Sequence, residues 1–293
     1  MQTRTIGPVT VSAIGLGGMQ MSIEGRPDEA QSVRTIHAAL DAGVTLIDTA
    51  DAYHLLAGET GHNERLIAKA LAAYPGDTSN VLVATKGGHL RPGDGSWTLD
   101  GSAAHLREAA EASLKALGVE AIGLYQFHRP DPRVPYEESI GAVKELLDAG
   151  KIRLAGISNA SIAQIETARR ILGDGNLASV QNQFSPAFRS SEGELRYCAE
   201  AGIAFLPWSP LGGSDAAPGL GTWHQAFGDV AGAHGVSPQR VTLAWMLAKA
   251  PVVIPIPGSR RPESIIDSAQ APELILTPEE LSLLDASGDV GGA

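Results

Sequence analysis

Four side chains that could carry out proton transfer follow the ends of short apolar runs. Asp48, Lys86 and His128 each stand at or just beyond such an end, and Tyr53 follows Asp48 by five residues. A phenol with a pKa of about 10 is a poor proton donor at neutral pH. An adjacent ammonium would lower that pKa by stabilising the phenolate, and a carboxylate would hold the ammonium in place. The set predicts Tyr53 as the general acid. Lys86 would adjust the pKa of Tyr53, and Asp48 would hold Lys86 charged and in position.

The same residues indicate a reaction type. An imidazole at His128 can hydrogen-bond a carbonyl oxygen, so the set suits proton delivery to that oxygen while a hydride arrives at carbon. A Schiff-base aldolase with Lys86 as nucleophile is an alternative. It requires a neutral lysine, which Asp48 disfavours. The nearby Asp51 is expected to be a solvated loop acid.

Regular alternation of short apolar runs with helical stretches positions these residues. After a predicted hairpin of Thr3–Ile6 and Val9–Ser12, each run is followed by a helical stretch, which predicts a parallel sheet with helices outside. Eight such units favour a closed (β/α)8 TIM barrel, a single domain over residues 1–293, whose active site lies at the C-terminal ends of the strands. A doubly wound dinucleotide fold is disfavoured because Gln20 stands where its glycine motif should end. The eight runs begin at Ala13, Val44, Val81, Ile122, Ile152, Ala178, Ile203 and Val252.

Composition narrows the class of protein. The chain has 293 residues, 43% of them hydrophobic, and a formal net charge of −11, which disfavours binding to nucleic acid or to an anionic membrane. The single cysteine, Cys198, excludes an intramolecular disulfide and a cysteine-based zinc site, and no metal site is expected. Neither a spanning segment nor an apolar leader is visible, so a cytoplasmic location is expected.

An ordered set of motifs at the predicted strand ends resembles the aldo-keto reductase family, in a bacterial form with a short C-terminal tail. The likeness runs from the hairpin to the last helix, and the motifs together are far more specific than any one alone. They are Asp48–Tyr53 with Gly61–Glu64, Ala84–Lys86, Gln126–Asp131, Gly156–Asn159, Gln181–Gln183, Trp208–Gly212 and Ile256–Arg260.

This resemblance implies an NAD(P)H-dependent oxidoreductase with Asp48, Tyr53, Lys86 and His128 as its catalytic tetrad. Many relatives have a lysine where Gly258 stands, but Arg260 and its neighbour Arg261 favour NADPH, with NADH possible. The residues implied to hold the cofactor are Ser158, Asn159 and Gln181 for the carboxamide, Trp208 for stacking, Ser209, Leu211 and Gly213 for the pyrophosphate, and Ser259 and Arg260 for the 2′-phosphate.

The expected partner is a small aldehyde or ketone. Met19, Trp97 and Trp223 lie in segments expected at the barrel mouth and are candidate walls of a partly aromatic pocket. The segment around Trp208 also resembles bacterial reductases acting on pyridoxal, which is the alternative specificity. A second alternative is an NADPH-binding sensor or partner subunit without significant turnover. The oligomeric state is not indicated.

Overall fold

The computed structural model describes residues 1–287. Its strands agree with the expected alternation, except that a second, unexpected hairpin follows the third barrel strand. The strands are β1 Thr3–Ile6, β2 Val9–Ser12, β3 Leu16–Gly17, β4 Leu46–Asp48, β5 Leu82–Gly87, β6 His89–Leu90, β7 Thr98–Leu99, β8 Ile122–Phe127, β9 Ile152–Ser158, β10 Leu177–Gln181 and β11 Ala204–Phe205.

Eleven α-helices occur in the part of the chain that the structure describes. The predicted Ser237 cap and the Thr277 capping box are both present, so two of the expected helix starts are confirmed. The helices are α1 Glu29–Asp41, α2 His62–Ala73, α3 Ala103–Leu117, α4 Tyr136–Asp148, α5 Ile162–Leu172, α6 Glu192–Ala201, α7 Leu220–Trp223, α8 Gln225–His234, α9 Pro238–Lys249, α10 Pro262–Ala269 and α11 Pro278–Ala286. The sequence predicts one domain over residues 1–293, with a short C-terminal tail. Residues 288–293 of that prediction lie outside the described residues.

Seven parallel strands form one sheet in the order β3-β4-β5-β8-β9-β10-β11. The segment 252–258 closes it, since Val253 bridges Phe205 of β11 and Gly258 bridges Gly17 of β3, both in parallel. The expected (β/α)8 barrel is confirmed.

The eighth predicted strand, Val252–Pro255, is present only as this bridging segment. Pro251, Pro255 and Pro257 lack an N–H, so a continuous ladder cannot form there. The closure is tight. A Cβ on Gly17 would lie 2.8 Å from the carbonyl oxygen of Ile256, so this position requires glycine.

The N-terminal hairpin closes one end of the barrel. Ile6 and Val11 of β1–β2 are buried in one cluster with the strand residues Leu46, Leu82 and Leu124. Burial of these aliphatic side chains removes that end from water. Access to the barrel interior is therefore left at the other end, where the strands finish.

Candidate active site

Asp48 and Lys86 form a buried ion pair at the ends of neighbouring strands. Parallel pairing aligns Asp48 of β4 with Ala84 of β5, which places Lys86 two residues further on. The Lys86 ammonium donates to Asp48 Oδ1 at 2.5 Å and to the Thr49 carbonyl at 2.7 Å. Burial alone would lower the pKa of Lys86, but Asp48 and Tyr53 outweigh it, and the pKa lies above its ordinary value. Lys86 is therefore held as a cation.

The second oxygen of Asp48 is held by two amides. Gln181 donates to Asp48 Oδ2 at 2.8 Å and Gln126 at 3.3 Å. The carboxylate is thus fixed from three strands, because Gln126 lies on β8 and Gln181 ends β10. A buried charge held in this way keeps a fixed geometry.

Tyr53 lies against the same cation. Lys86 Nζ donates to Tyr53 Oη at 3.3 Å and lies 5.0 Å from the ring centroid. Burial raises the pKa of Tyr53, and this outweighs the lowering by Lys86, so the pKa lies above its ordinary value. The net lowering expected from the sequence is therefore wrong, because desolvation of the phenolate was left out. A phenol in this state retains its proton at neutral pH and is available as an acid.

His128 completes the predicted tetrad. Its ring meets that of Tyr53 edge to face, with centroids 5.8 Å apart. Burial, followed by the charge of Lys86, places the pKa of His128 well below its ordinary value. The imidazole is therefore neutral and can donate or accept one hydrogen bond beside the phenol.

A cavity of about 630 Å³ opens over these groups. Asp48, Tyr53 and His128 line it, while Lys86 lies behind Tyr53, fully buried. This volume is in the range of small-molecule and cofactor sites. Among the predicted binding residues, those that line it are Met19, Trp97, Ser158, Asn159, Gln181, Trp208, Ser209, Leu211 and Gly213.

Asn159 links two sides of the cavity. Its side-chain oxygen accepts from Trp208 Nε1 and from Arg129 Nη2, each at 3.2 Å, and its amide nitrogen donates to the His128 carbonyl at 3.0 Å. Asn159 and Ser209 have positive φ angles of 57° and 48°, a left-handed conformation uncommon for residues other than glycine. Strained backbone at two cavity residues is typical of a functional site.

Ser259 and Arg260 lie beyond the cavity wall. Ser259 is buried, and its hydroxyl donates a hydrogen bond to the Arg261 carbonyl at 2.8 Å. Arg260 Nη2 donates to the carbonyl of Glu24, a residue that does line the cavity, at 3.0 Å. Arg260 Nε is buried without a partner, and no ion pair to a carboxylate within residues 1–287 involves this guanidinium. Arg260 therefore presents uncommitted donors close to the cavity.

A comparison with protein families bears directly on this arrangement. The model of the aldo/keto reductase family matches residues 13–289.

The chain belongs to the aldo/keto reductase family.

Individual relatives agree with this membership. An uncharacterised oxidoreductase of Schizosaccharomyces pombe is 32% identical over 98% of this chain and 90% of its own length. A 6-dehydroglucose reductase of Novosphingobium aromaticivorans is 35% identical over 90% of this chain and 87% of its own. A solved aldo/keto reductase of Klebsiella pneumoniae, in complex with NADP and acetate, is 26% identical, with a TM-score of 0.80 over 98% of this chain and 96% of its own. The expected enzyme class, an oxidoreductase, is confirmed.

Trp223 and Asp51 are also placed differently from the sequence predictions for this aldo-keto reductase. Trp223 is 58% exposed, packs against Gly219 and is not among the cavity residues, so its role as a pocket wall stays a prediction. Asp51, expected to be solvated, is only 3% exposed. The chain turns back over it, since Gly61 N–H donates to the Asp51 carbonyl at 2.8 Å.

Several residues of the reductase cavity were missed from the sequence. His89 packs against both Trp97 and His128, with ring centroids 4.6 Å and 4.9 Å away. Arg129 and Glu24 also line the cavity. Proximity in sequence could have found two of them, because His89 follows Lys86 by three residues and Arg129 follows His128 directly.

Neither a membrane span nor a metal cluster is found in this reductase over residues 1–287. No helix there is long and apolar enough to cross a bilayer. No group of three or more histidine, cysteine or acidic side chains in the same range could hold a metal ion.

Proposed function

We propose that this protein reduces aldehydes or ketones to alcohols with NADPH, reversibly, with Tyr53 as the general acid. The observation that carries the proposal is the position of Lys86. Its ammonium is bonded to both the carboxylate of Asp48 and the phenol of Tyr53, two groups that line the cavity, while Lys86 itself is buried behind them.

The residues present fit a phosphorylated dinucleotide. The cavity is large enough for a nicotinamide and a small carbonyl compound, and Arg260 has donors near its rim that no carboxylate in residues 1–287 occupies. The Klebsiella pneumoniae relative contains NADP, which supports the same choice here. When bound, the cofactor supplies a hydride. Ser158, Asn159 and Gln181 would hold its carboxamide and Trp208 would stack on its ring, while Ser209, Leu211 and Gly213 would border the pyrophosphate and Ser259 and Arg260 the 2′-phosphate.

Side chains of the protein supply the proton that the carbonyl oxygen receives. Tyr53 Oη gives its proton to the carbonyl oxygen of the substrate, and Lys86 Nζ stabilises the phenolate that remains. Asp48 keeps Lys86 charged and in place. His128, neutral at this site, orients the carbonyl oxygen. Met19 and Trp97 would contact the rest of the substrate.

The ion pair argues against a Schiff-base aldolase. Such an enzyme needs a neutral lysine, whereas the pKa of Lys86 lies above its ordinary value because Asp48 and Tyr53 outweigh the effect of burial. The name of the Novosphingobium aromaticivorans relative, a 6-dehydroglucose reductase, describes carbonyl reduction and supports the same reaction class here.

A turnover assay tests the proposal. NADPH absorbance is followed with a panel of aldehydes and ketones, including pyridoxal, for the wild type and for Tyr53→Phe. Loss of absorbance that depends on Tyr53 is expected. If the wild type bound NADPH but reduced no member of the panel, the sensor alternative would replace the proposal. Pyridoxal as the preferred member would select the pyridoxal reductase alternative.

A further inference from the structure

Arg129 places a positive charge at the wall of the cavity, directly after His128 in the chain. The residue is half-buried and lines the cavity together with Tyr53 and Trp208. Its Nη2 donates to Asn159 Oδ1 at 3.2 Å, while its Nε is buried without a hydrogen-bond partner. Part of the guanidinium is therefore not hydrogen-bonded by the chain, which is costly for a cation partly removed from water.

The other ionised side chains that line the cavity each have a counter-charge. Asp48 is paired with Lys86, and Glu24 is paired with Arg91 on the segment between β6 and β7. No carboxylate within residues 1–287 forms an ion pair with Arg129. Its neighbour Arg133, by contrast, is paired with Asp131 at 2.9 Å.

The charge of Arg129 acts on two histidines that line the cavity. After burial, it contributes to the low pKa of His89, which lies at about 4. After burial and the charges of Lys86 and His89, it also contributes to the low pKa of His128. The guanidinium of Arg129 lines the same cavity as Tyr53 and His128.

We infer that Arg129 binds a carboxylate of the substrate, so that the preferred substrates are aldehydes or ketones that carry a carboxylate as well as the carbonyl group. A carboxylate matches the N–H geometry of a guanidinium and would supply the missing counter-charge at the cavity wall. The inference rests on the proposed carbonyl reduction and names its substrate class.

A matched pair of aldehydes tests it. The acid is 4-carboxybenzaldehyde, and its neutral counterpart of similar shape is 4-formylbenzamide. With NADPH, we expect the wild type to show a kcat/KM at least tenfold higher for the acid. In Arg129→Gln the ratio of the two kcat/KM values should fall at least tenfold. Arg129→Lys keeps the charge but loses the paired N–H donors of the guanidinium, so its ratio should lie between those of the wild type and Arg129→Gln. Arg133→Gln is the control, because Arg133 lies outside the cavity and should leave the ratio unchanged.

The ratio separates substrate recognition from a general defect. If Arg129 served only to hold Asn159, both aldehydes would lose activity equally and the KM for NADPH would rise, and the inference would be overturned. It would also be overturned if the wild type did not distinguish the acid from the amide.

Binding gives a readout that does not need turnover. Calorimetry with the NADPH-saturated protein compares the binding of two alcohols, 4-(hydroxymethyl)benzoate and 4-(hydroxymethyl)benzamide. NADPH cannot reduce either of them. If the wild type binds the benzoate more tightly than the benzamide, and Arg129→Gln abolishes that difference, the carboxylate site is supported even if neither aldehyde is turned over. Absence of turnover would then overturn only the proposed function. Equal binding of the two alcohols by the wild type would overturn the carboxylate site alone.

Discussion

The Lys86 ammonium lies 2.5 Å from the Asp48 carboxylate, and both side chains are almost completely buried. Neither charge could be left alone in such a place without a large desolvation cost. The pair therefore keeps Lys86 charged at a fixed place, from which the same ammonium also donates to Tyr53.

Lys86→Met should lose both stability and turnover. Methionine fills similar space but leaves the buried Asp48 carboxylate without its cation, and removing one partner of a buried pair costs about 3–5 kcal/mol. Urea unfolding measures this loss. The double variant Asp48→Asn with Lys86→Met should recover part of the stability, because no unpaired charge remains, while turnover stays lost. A single variant as stable as the wild type would show that the pair is not holding this region together.

Tyr53→Phe should lower kcat for carbonyl reduction by about 10²–10⁴-fold, the usual contribution of a general acid. Quenching of protein fluorescence by NADPH should persist, because the substitution removes only a hydroxyl. Single-turnover kinetics and a fluorescence titration of the same preparation measure the two effects. Near-normal turnover would show that another group supplies the proton.

The pH dependence of reduction should be flat over about pH 6 to 9. Burial raises the pKa of Tyr53, so the acid keeps its proton throughout this range. The pKa of His128 lies well below its ordinary value because of burial and the charge of Lys86, so the imidazole stays neutral. Alcohol oxidation needs the phenolate instead and should rise by about tenfold per pH unit across the same range. A descending limb of kcat for reduction near pH 7 would contradict these assignments.

The regular part of this site was predictable from the sequence, because strand periodicity fixes which residues stand at strand ends. Asp48 ends β4, Lys86 lies within β5, and His128 follows β8 directly. His89 was not found, because the short strand β6 leaves no periodic signal.

Burial at Asp51 and desolvation at Tyr53 were not predictable in the same way. Asp51 lies in a loop, where an acid is ordinarily solvated, and only the folded chain shows that it is buried there. The sign of the pKa shift of Tyr53 depends on whether burial or the Lys86 charge is larger, and spacing in sequence carries no information on burial.

Arg260→Ala should raise the KM for NADPH by about tenfold or more and leave the KM for NADH nearly unchanged. The guanidinium donates to one backbone carbonyl and has no carboxylate partner within residues 1–287, so its charge is not neutralised by the chain and can pair with a phosphate. Hydrogen bonds between charged groups contribute about 1.5–3 kcal/mol. Steady-state kinetics with both cofactors measure the effect, and Arg107→Ala, which loses only a surface pair with Glu145, is the control. Equal changes for both cofactors would remove the phosphate role.

Asp51→Asn should flatten the pH dependence of stability above about pH 4. Asp51 and Glu64 are both buried, and each has one carboxyl oxygen without a hydrogen-bond partner. Burial first, and the Glu64 charge second, place the pKa of Asp51 well above its ordinary value, and burial raises that of Glu64 as well. Between the unfolded and folded pKa values the native state binds more protons than the unfolded state, so the free energy of unfolding falls as pH rises.

The free energy of unfolding falls by at most about 1.4 kcal/mol per pH unit for each extra proton that the native state binds. Asparagine at position 51 keeps the shape but has no proton to lose, and it removes the neighbour that opposes ionisation of Glu64. Urea unfolding from about pH 4.5 to pH 8 should therefore show a shallower decline than in the wild type, and a relative gain in stability at the alkaline end. Asp174→Asn, at an exposed position, is the matched control and should reproduce the wild-type slope. A slope that Asp51→Asn leaves unchanged would mean that Asp51 is ionised in the folded protein and that a cation or bound water compensates its charge.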